Sequence, residues 1–184
     1  MTTKFEQIVA ESKASQNPKE LLLLLKMLDK IKPKVIVEIG VDQGYLLTTW
    51  RKAFDPQLLI GVELGNSTKI AELGSLRDAT FIFGDSHHLY TKTRLQELLA
   101  DRKIDLLFID GDHTYEGVKQ DFEMYAPLVR EGGAIVLHDI KLTGKKWEGL
   151  VEVNRFWKEL KLNYIHQEIW DQAGKGTGTG LIWV

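Results

Sequence analysis

Residues 104–113 read IDLLFIDGDH and residues 133–140 read GAIVLHDI, and these two stretches decide the fold class of the 184-residue chain. Each is a near-continuous apolar run that reaches an aspartate, Asp110 in the first and Asp139 in the second, with a histidine close by. Runs that are apolar at almost every position are typical of strands that a parallel sheet buries on both faces. The two stretches therefore predict neighbouring buried strands with polar groups at their carboxyl ends.

Other strands and helices are predicted on either side of this pair. Three similar apolar runs precede it at intervals of 20 to 30 residues, at 34–40, 58–64 and 80–86. Segment 114–129 repeats apolar residues at helical spacing, and we expect Gly132-Gly133 to end that helix. A helix around 148–161 and strands at 164–170 and 181–184 should follow. Only about ten residues separate the last two strands, too few for a crossover helix, so they should pair antiparallel.

The N-terminal residues predict two helices, and the start of the second one is well marked. Asn17 can cap it, Pro18 suits its first position, and Glu20 can reach back to the cap. The helices should pack outside the sheet, either over the ligand side or at a contact between subunits of a homo-oligomer. The sequence leaves both placements open.

Composition excludes several classes of protein. The 24 basic and 26 acidic residues are interspersed and give a net charge of -2, so no basic face for nucleic acid is indicated. The chain has no cysteine, which excludes disulfide scaffolds, thiolate metal sites and cysteine nucleophiles. The longest purely apolar run has five residues, whereas a membrane span needs about twenty. We therefore expect a cytoplasmic protein with no nucleic-acid or membrane partner.

Ligands of such sheets bind beyond the carboxyl ends of the strands, so the residues after each strand are the candidate site. The first strand runs into EIGVDQG at 38–44, where Gly40 and Gly44 permit close approach of the backbone to a ligand at a helix N-terminus. Neither a GxGxxG spacing nor a P-loop is present. Glu63 ends the second strand at the place where an acidic residue binds a ribose hydroxyl pair, with an ordinary solvated loop acid as the alternative.

These residues together resemble the class I S-adenosylmethionine-dependent methyltransferases. The resemblance rests on Glu38-x-Gly40-x-x-x-Gly44, Glu63, Gly84-Asp85-Ser86, and above all FIDGDHTYE at 108–116 with GGAIVLHD at 132–139. More narrowly, they are similar to the small-molecule O-methyltransferase group that includes cephalosporin-hydroxylase-like and sugar O-methyltransferase-like proteins. The resemblance covers 34–184 and leaves 1–33 as an N-terminal helical segment packed on that domain.

The resemblance implies a fold, a cofactor and a reaction. The fold is an α/β Rossmann-like, doubly wound sheet of seven strands in the order 3-2-1-4-5-7-6, with the last strand antiparallel. The cofactor is S-adenosyl-L-methionine, and its methyl group goes to a hydroxyl oxygen of a small-molecule acceptor. Two alternatives stay open. One is a protein that binds S-adenosylmethionine without turnover, and the other is an NAD-dependent oxidoreductase, which the missing GxGxxG disfavours.

The resemblance also implies roles for individual residues around the cofactor. Asp42 is a departure, because many members have a glycine there, and this leaves the main-chain contacts of the turn open. The implied contacts are Glu38, Gly40, Val41, Asp42 and Gly44 around the methionine part, Glu63 on the ribose hydroxyls, Asp85 and Ser86 beside the adenine, and Asp110 under the sulfonium.

A metal ion is one implied function for the ends of strands four and five. These strands are neighbours in the implied topology, so Asp110 and Asp139 should lie about 5 Å apart and would repel unless they share a proton or a cation. In metal-dependent catechol-type O-methyltransferases the corresponding pair binds a divalent ion, which would be Mg²⁺ or Mn²⁺ here. Those enzymes usually supply an amide next, where this chain has Ile140, so a third ligand would have to come from His138, His113 or Asp112.

General-base catalysis is the other function considered for the same place. Methyl transfer to an alcohol requires removal of the hydroxyl proton, and His113 or His138 beside Asp110 is suited to that work near neutral pH. The alternative for each histidine is a structural hydrogen bond.

Farther along the chain, Phe156 and Trp157 are expected in a helix core, and Trp147 in a loop that could meet the acceptor.

Overall fold

The computed structural model describes residues 2–65, 70, 76, 78–142, 150–173 and 176–184. Within them, the strands form one seven-stranded sheet. The strands are β1 (Val35–Ile39), β2 (Leu58–Glu63), β3 (Thr80–Phe83), β4 (Ile104–Ile109), β5 (Val129–Leu137), β6 (Ile165–Ile169) and β7 (Thr179–Trp183). The helices whose bounds the structure gives are α1 (Lys4–Glu11), α2 (Pro18–Leu28), α3 (Tyr45–Phe54), α4 (Leu89–Leu99), α5 (Tyr115–Tyr125) and α6 (Val153–Leu160).

The strand order is β3-β2-β1-β4-β5-β7-β6, as expected from the sequence. Strands β1 to β5 pair in parallel, while β7 runs antiparallel to both β5 and β6. The antiparallel pairing of the last two strands is therefore confirmed. Because β1 to β5 are parallel, the residues that follow β1, β2, β3 and β4 meet at one edge of the sheet.

Alternate residues of the central strands enter two separate apolar cores. In β1, Val35, Val37 and Ile39 belong to the core under α4, α5 and α6, whereas Ile36 belongs to the core under α1, α2 and α3. This division explains why the strand sequences are apolar at almost every position, since each face is covered by helices. Phe156 belongs to the first core, as predicted.

The N-terminal helices are part of the second core. Leu24 and Leu25 of α2 and Ile8 of α1 pack in the same cluster as Trp50 of α3. Asn17 caps α2 as predicted, because its Oδ1 accepts hydrogen bonds from the backbone N–H groups of the next turn. No helix in the part of the chain described here has the length and apolar character needed to span a membrane.

Two local predictions were wrong. The helix predicted for 114–129 ends at Tyr125, because Pro127 has no N–H to continue the helical ladder and the chain tightens into a 3₁₀ turn. Gly132-Gly133 lie inside β5, where the register with β4 shifts and Gly132 adopts φ +71°. The Glu20 side chain does not return to the α2 cap: it accepts hydrogen bonds from the backbone of Asp171 and Gly178 instead.

Candidate active site

A cleft of about 630 Å³ opens at the carboxyl ends of the parallel strands. This volume is in the range of small-molecule sites. Its walls are the end of β1 and the turn that follows (38–43), the start of α3 (45–46), the residues at the ends of β2 (62–64), β3 (84–87) and β4 (110–113), and the stretch between α1 and α2 (14–16). Of the predicted site residues, Gly44, His138 and Asp139 are not among the residues that line it.

The turn after β1 has the backbone conformation that close approach to a ligand requires. Gly40 adopts φ +80°, and a Cβ there would lie 2.2 Å from the carbonyl oxygen of Asp110, so only glycine fits. Gly44 adopts φ +77° and begins α3 without a side-chain cap. Asp42 adopts φ +49°, and aspartate is one of the few residues besides glycine that tolerate this region. The turn thus keeps a left-handed residue at the position where the sequence departs from the family pattern.

Glu63 braces this turn, which the sequence did not predict. Its Oε2 accepts hydrogen bonds from the backbone N–H groups of Val41 at 2.8 Å and Asp42 at 2.9 Å. Among the described residues, its Oε1 accepts a hydrogen bond from the N–H of Gly65 at 3.3 Å. Since Oε2 already accepts two bonds, Oε1 is the atom with capacity for a ligand hydroxyl.

Glu38 lies at the base of the cleft. It is 1% exposed, and its Oε2 accepts a hydrogen bond from Trp50 Nε1 at 2.8 Å. Burial raises the pKa of Glu38 well above its usual value, and the nearby carboxylates of Asp110 and Glu63 act in the same direction. The surroundings of Glu38 therefore disfavour its charged form.

The residues after β3 form the far end of the cleft. The Asp85 carboxylate accepts the N–H of His87 at 2.9 Å, and the Ser86 carbonyl accepts a hydrogen bond from Tyr125. His87 lines the cleft with its Nε2 3.1 Å from the Gly117 carbonyl oxygen. These contacts fix the loop and leave the Asp85 side chain 57% exposed.

Asp121 lies directly behind this loop and was not singled out from the sequence. It is fully buried, and neither carboxylate oxygen has a hydrogen-bond partner among the described residues. His87 Nε2 lies 3.3 Å from Asp121 Oδ1, without the geometry of a hydrogen bond. Burial raises the pKa of Asp121 to about 6. One sequence signal could have found it: an acidic residue stands on the apolar face of α5, between Val118 and Phe122.

Asp110, His113, His138 and Asp139 form one cluster, which we call the carboxylate-imidazole cluster. Asp110 Oδ1 lies 3.1 Å from both His113 Nε2 and His138 Nδ1. Asp139 lies on the other side, 3.4 Å from His113 Nδ1 and 3.1 Å from His138 Nδ1. The two carboxylates are thus bridged by imidazole rings.

The contacts within this cluster shift the pKa of three of its members. The hydrogen bond to Asp110 raises the pKa of His113. Burial opposes the charged form of His138, but the charge and hydrogen bond of Asp110, together with the charges of Asp139 and Glu20, outweigh burial and raise the pKa of that imidazole. Burial likewise opposes ionisation of Asp110, but His138 and His113 together lower its pKa. Contact between Asp110 and the two imidazoles thus stabilises the charged form of each of these three groups.

The two histidines differ in access to the cleft. His113 lines the cleft, and a third of its side chain is exposed. His138 has a side chain only 9% exposed, and its remaining nitrogen, Nε2, lies 3.2 Å from Thr177 Oγ1. A molecule in the cleft can reach His113 but not His138.

Part of the cluster has the geometry of a metal site. One ligand atom each from Asp110, His113 and Asp139 lie within 4.8 Å of one another. Two carboxylate oxygens and one imidazole nitrogen suit a divalent cation of the Mn²⁺ type, with the remaining positions left for water or substrate. The donor set thus fits the implied metal, and its third member is His113.

A sheet of this order, with a glycine turn after β1 and acidic residues at the ends of β1, β2, β3 and β4 around one cleft, defines the class of Rossmann-like S-adenosylmethionine-dependent methyltransferases. A family model described as a methyltransferase domain matches residues 37–140, and the chain belongs to that family.

Solved structures with the same fold cover nearly the whole chain. A candidate caffeoyl-CoA O-methyltransferase from Staphylococcus aureus shares 17% identity over 97% of this chain and 91% of its own, with a TM-score of 0.71. The O-methyltransferase TomG from Streptomyces achromogenes is involved in tomaymycin synthesis and was solved with S-adenosylmethionine. It shares 19% identity over 100% of this chain and 91% of its own, with a TM-score of 0.67. The MycE methyltransferase was solved with Mg, S-adenosylhomocysteine and mycinamycin VI. It shares 14% identity over 99% of this chain and 54% of its own, with a TM-score of 0.70.

Curated relatives match shorter stretches. Uncharacterized protein R132 of Acanthamoeba polyphaga mimivirus is 56% identical over 36 residues, which is 20% of this chain and 16% of that protein. Uncharacterized protein y4gI of Sinorhizobium fredii is 32% identical over 82 residues, which is 42% of this chain and 9% of that protein. The matched stretches thus span less than a fifth of either relative.

Proposed function

We propose that this protein transfers the methyl group of S-adenosylmethionine to a hydroxyl oxygen of a small-molecule acceptor. One observation carries the proposal. A single cleft joins the glycine turn, the Glu63 carboxylate, the Asp85 loop and the Asp110 end of the carboxylate-imidazole cluster. The first three features suit a nucleoside with an extended tail, and the last suits the chemistry of a hydroxyl group.

The cofactor would lie along the ends of β3, β2, β1 and β4. Asp85 and Ser86 would flank the adenine, and Glu63 would bind a ribose hydroxyl through Oε1. The methionine part would lie against the glycine turn, where Gly40, Val41, Asp42 and Gly44 expose backbone at the start of α3, above Glu38. Asp110 would lie under the sulfonium.

His113 would act on the acceptor. It is the histidine that lines the cleft, and it lies within 3.4 Å of two carboxylate groups. A neutral imidazole there can accept the hydroxyl proton, and Asp110 and Asp139 stabilise the resulting cation. His138 would hold Asp110 in position from behind. Most of the catalysis would come from alignment of the nucleophilic oxygen, the methyl carbon and the leaving sulfur.

A divalent metal at Asp110, His113 and Asp139 is the second mechanism that the geometry supports. When bound, Mg²⁺ or Mn²⁺ would orient an acceptor hydroxyl and lower its pKa.

MycE was solved in complex with Mg and mycinamycin VI, and TomG is involved in tomaymycin synthesis. These similar structures support a small-molecule acceptor. A homo-oligomer, a cytoplasmic location and the lack of a nucleic-acid partner stay predictions.

Metal removal separates the two mechanisms. We would measure S-adenosylhomocysteine formed from S-adenosylmethionine with a panel of phenols, catechols and sugars, before and after treatment with a chelator. If a metal acts, the chelator abolishes turnover and Mn²⁺ restores it, and equilibrium dialysis shows one Mn²⁺ bound that Asp139→Asn loses. If His113 is the base, the chelator has no effect and His113→Ala lowers the rate by about 10² to 10⁴.

Two results would contradict the proposed function. Binding of S-adenosylhomocysteine without product from any acceptor in the panel would favour the non-catalytic binding protein. Binding of NADH in preference to S-adenosylhomocysteine would favour the oxidoreductase.

A further inference from the structure

Gln16 is a polar residue of the cleft wall that the proposed roles do not use. It lies between α1 and α2 and is 9% exposed. Its Nε2 donates a hydrogen bond to Asp110 Oδ2 at 3.2 Å. Its Oε1 is buried and has no hydrogen-bond partner in the part of the chain that the structure describes.

The orientation of this amide is fixed by its neighbour. Turning the amide over would place Oε1 against the Asp110 carboxylate, where two acceptors would repel each other. Oε1 must therefore face away from Asp110. A buried acceptor without a donor is costly, so a group that enters the cleft is expected to supply the donor.

The stretch that carries Gln16 is held in place on both sides. Ser12 Oγ lies 2.9 Å from Thr49 Oγ1 of α3 and also accepts the N–H of Ala14 at 3.1 Å. On the other side, Glu20 at the start of α2 binds the backbone of the segment before β7. These contacts hold the stretch that places Gln16 in the cleft wall.

The position of Gln16 indicates which part of the cofactor it would meet. The strand order places the Asp85 loop after β3 and Asp110 after β4, with β2 and β1 between them. An S-adenosyl cofactor with its adenine at the Asp85 loop extends its amino-acid part toward Asp110 and Gln16. That part carries one strong donor, the α-ammonium group, and its positive charge suits a carbonyl oxygen beside a carboxylate.

We propose that Gln16 Oε1 accepts a hydrogen bond from the α-ammonium group of the cofactor, so that the N-terminal segment supplies a cofactor-binding residue. This inference rests on the proposed function, because it requires an S-adenosyl cofactor in the cleft. Gln16 then makes the cleft select cofactors that carry an amino group over shorter thioadenosines.

Calorimetry with three ligands tests this contact. The ligands are S-adenosylhomocysteine, its analogue lacking only the amino group, and 5′-methylthioadenosine, which lacks the whole amino-acid part. For Gln16→Leu we expect S-adenosylhomocysteine to bind about 10- to 100-fold more weakly and the other two ligands to bind as they do to the wild type. Gln7→Leu, at an exposed position of α1, is the matched control and should change nothing.

Each other outcome is informative. If wild-type protein does not bind S-adenosylhomocysteine, the proposed function itself fails. If it binds and Gln16→Leu leaves all three affinities unchanged, or weakens all three equally, the contact with the ammonium group is refuted. If Gln16→Leu fails to fold, Gln16→Met, which keeps the length of the side chain but has no amide oxygen, is titrated with the same three ligands. The same selective loss of S-adenosylhomocysteine affinity is expected, and unchanged or equally weakened affinities would refute the contact.

Discussion

At the scale of single residues, Asp110 connects the two ends of the proposed chemistry. Its Oδ1 lies against two imidazoles, and its Oδ2 accepts a hydrogen bond from Gln16. Asp110 therefore belongs to the carboxylate-imidazole cluster that would act on the acceptor, and it also contacts Gln16, the side chain that we expect to meet the cofactor. Burial opposes the charge of Asp110, but His138 and His113 outweigh burial and lower its pKa.

Glu63→Gln should separate the two roles of Glu63. The amide oxygen can still accept the N–H groups of Val41 and Asp42, but the atom that replaces Oε1 becomes a donor and cannot accept a ribose hydroxyl. We expect S-adenosylhomocysteine to bind at least about tenfold more weakly, since hydrogen bonds to charged groups contribute about 1.5 to 3 kcal/mol. Calorimetry measures the affinity, and thermal unfolding should show only a small decrease in the midpoint, because the bonds from Val41 and Asp42 are kept and the 3.3 Å bond from Gly65 is lost. Wild-type affinity in this variant would remove Glu63 from the cofactor site.

Asp121→Asn should stabilise the protein above pH 6. Because burial raises the pKa of Asp121 to about 6 from 3.8, its charged form destabilises the fold at pH 8, and this effect declines as the pH falls from 6 toward 3.8. We expect the variant to gain roughly 1 to 3 kcal/mol in the free energy of unfolding at pH 8 and progressively less toward pH 4. Urea unfolding at several pH values measures this. A loss of stability at pH 8 would show that the charged carboxylate is needed.

The sequence predicted that residues at the strand ends surround one cleft. Those at the ends of β1, β2, β3 and β4 line it, whereas His138 and Asp139 after β5 do not. The sequence did not predict Gln16 or the bracing of the turn by Glu63. Both depend on contacts between segments far apart in the chain, and no local pattern encodes such contacts. Likewise, the difference in access between His113 and His138 follows from how the loops pack.

At the scale of elements, β6 is tied to its neighbours through Glu168. This carboxylate accepts hydrogen bonds from Lys141, from Lys161 after α6, and from Trp157 Nε1 at 2.8 Å. Burial acts to raise the pKa of Glu168, but these partners outweigh it and lower the pKa to about 2. An edge strand is thus held to α6 by a charged group that is 26% exposed.

Glu168→Gln should weaken this attachment in a pH-dependent way. The pKa of Glu168 is lowered from 4.5, so its contribution is present above pH 4.5 and is lost as the pH falls toward 2. At pH 7 we expect a loss of roughly 1 to 3 kcal/mol in the free energy of unfolding, measured by urea titration. The difference from the wild type should shrink below pH 4.5. A difference that is constant with pH would point to packing instead of charge.

The order of the elements was predictable, but some of their ends were not. The antiparallel last strand follows from a connection too short for a crossover helix. The end of α5 is earlier than predicted because Pro127 stops the helix before the glycine pair is reached. Trp147, predicted to meet the acceptor, lies outside the described residues, while Trp157 is buried as expected.

At the scale of the whole molecule, the N-terminal helices are part of the site as well as part of the core. They share an apolar cluster with α3 and the central strands, and the stretch between them forms one wall of the cleft. Which of the two expected placements, over a bound ligand or at a subunit contact, applies to these helices stays a prediction. The family model begins at residue 37, so this wall lies outside the region that defines the family.

Calorimetric titration of the wild-type protein with S-adenosylhomocysteine, and separately with NADH, tests the central claim most directly. The cleft, the glycine turn and Glu63 predict binding of one S-adenosylhomocysteine per chain and no comparable binding of NADH. Absence of S-adenosylhomocysteine binding by correctly folded protein, or tighter binding of NADH, would contradict the assignment of this cleft to a methyltransferase cofactor.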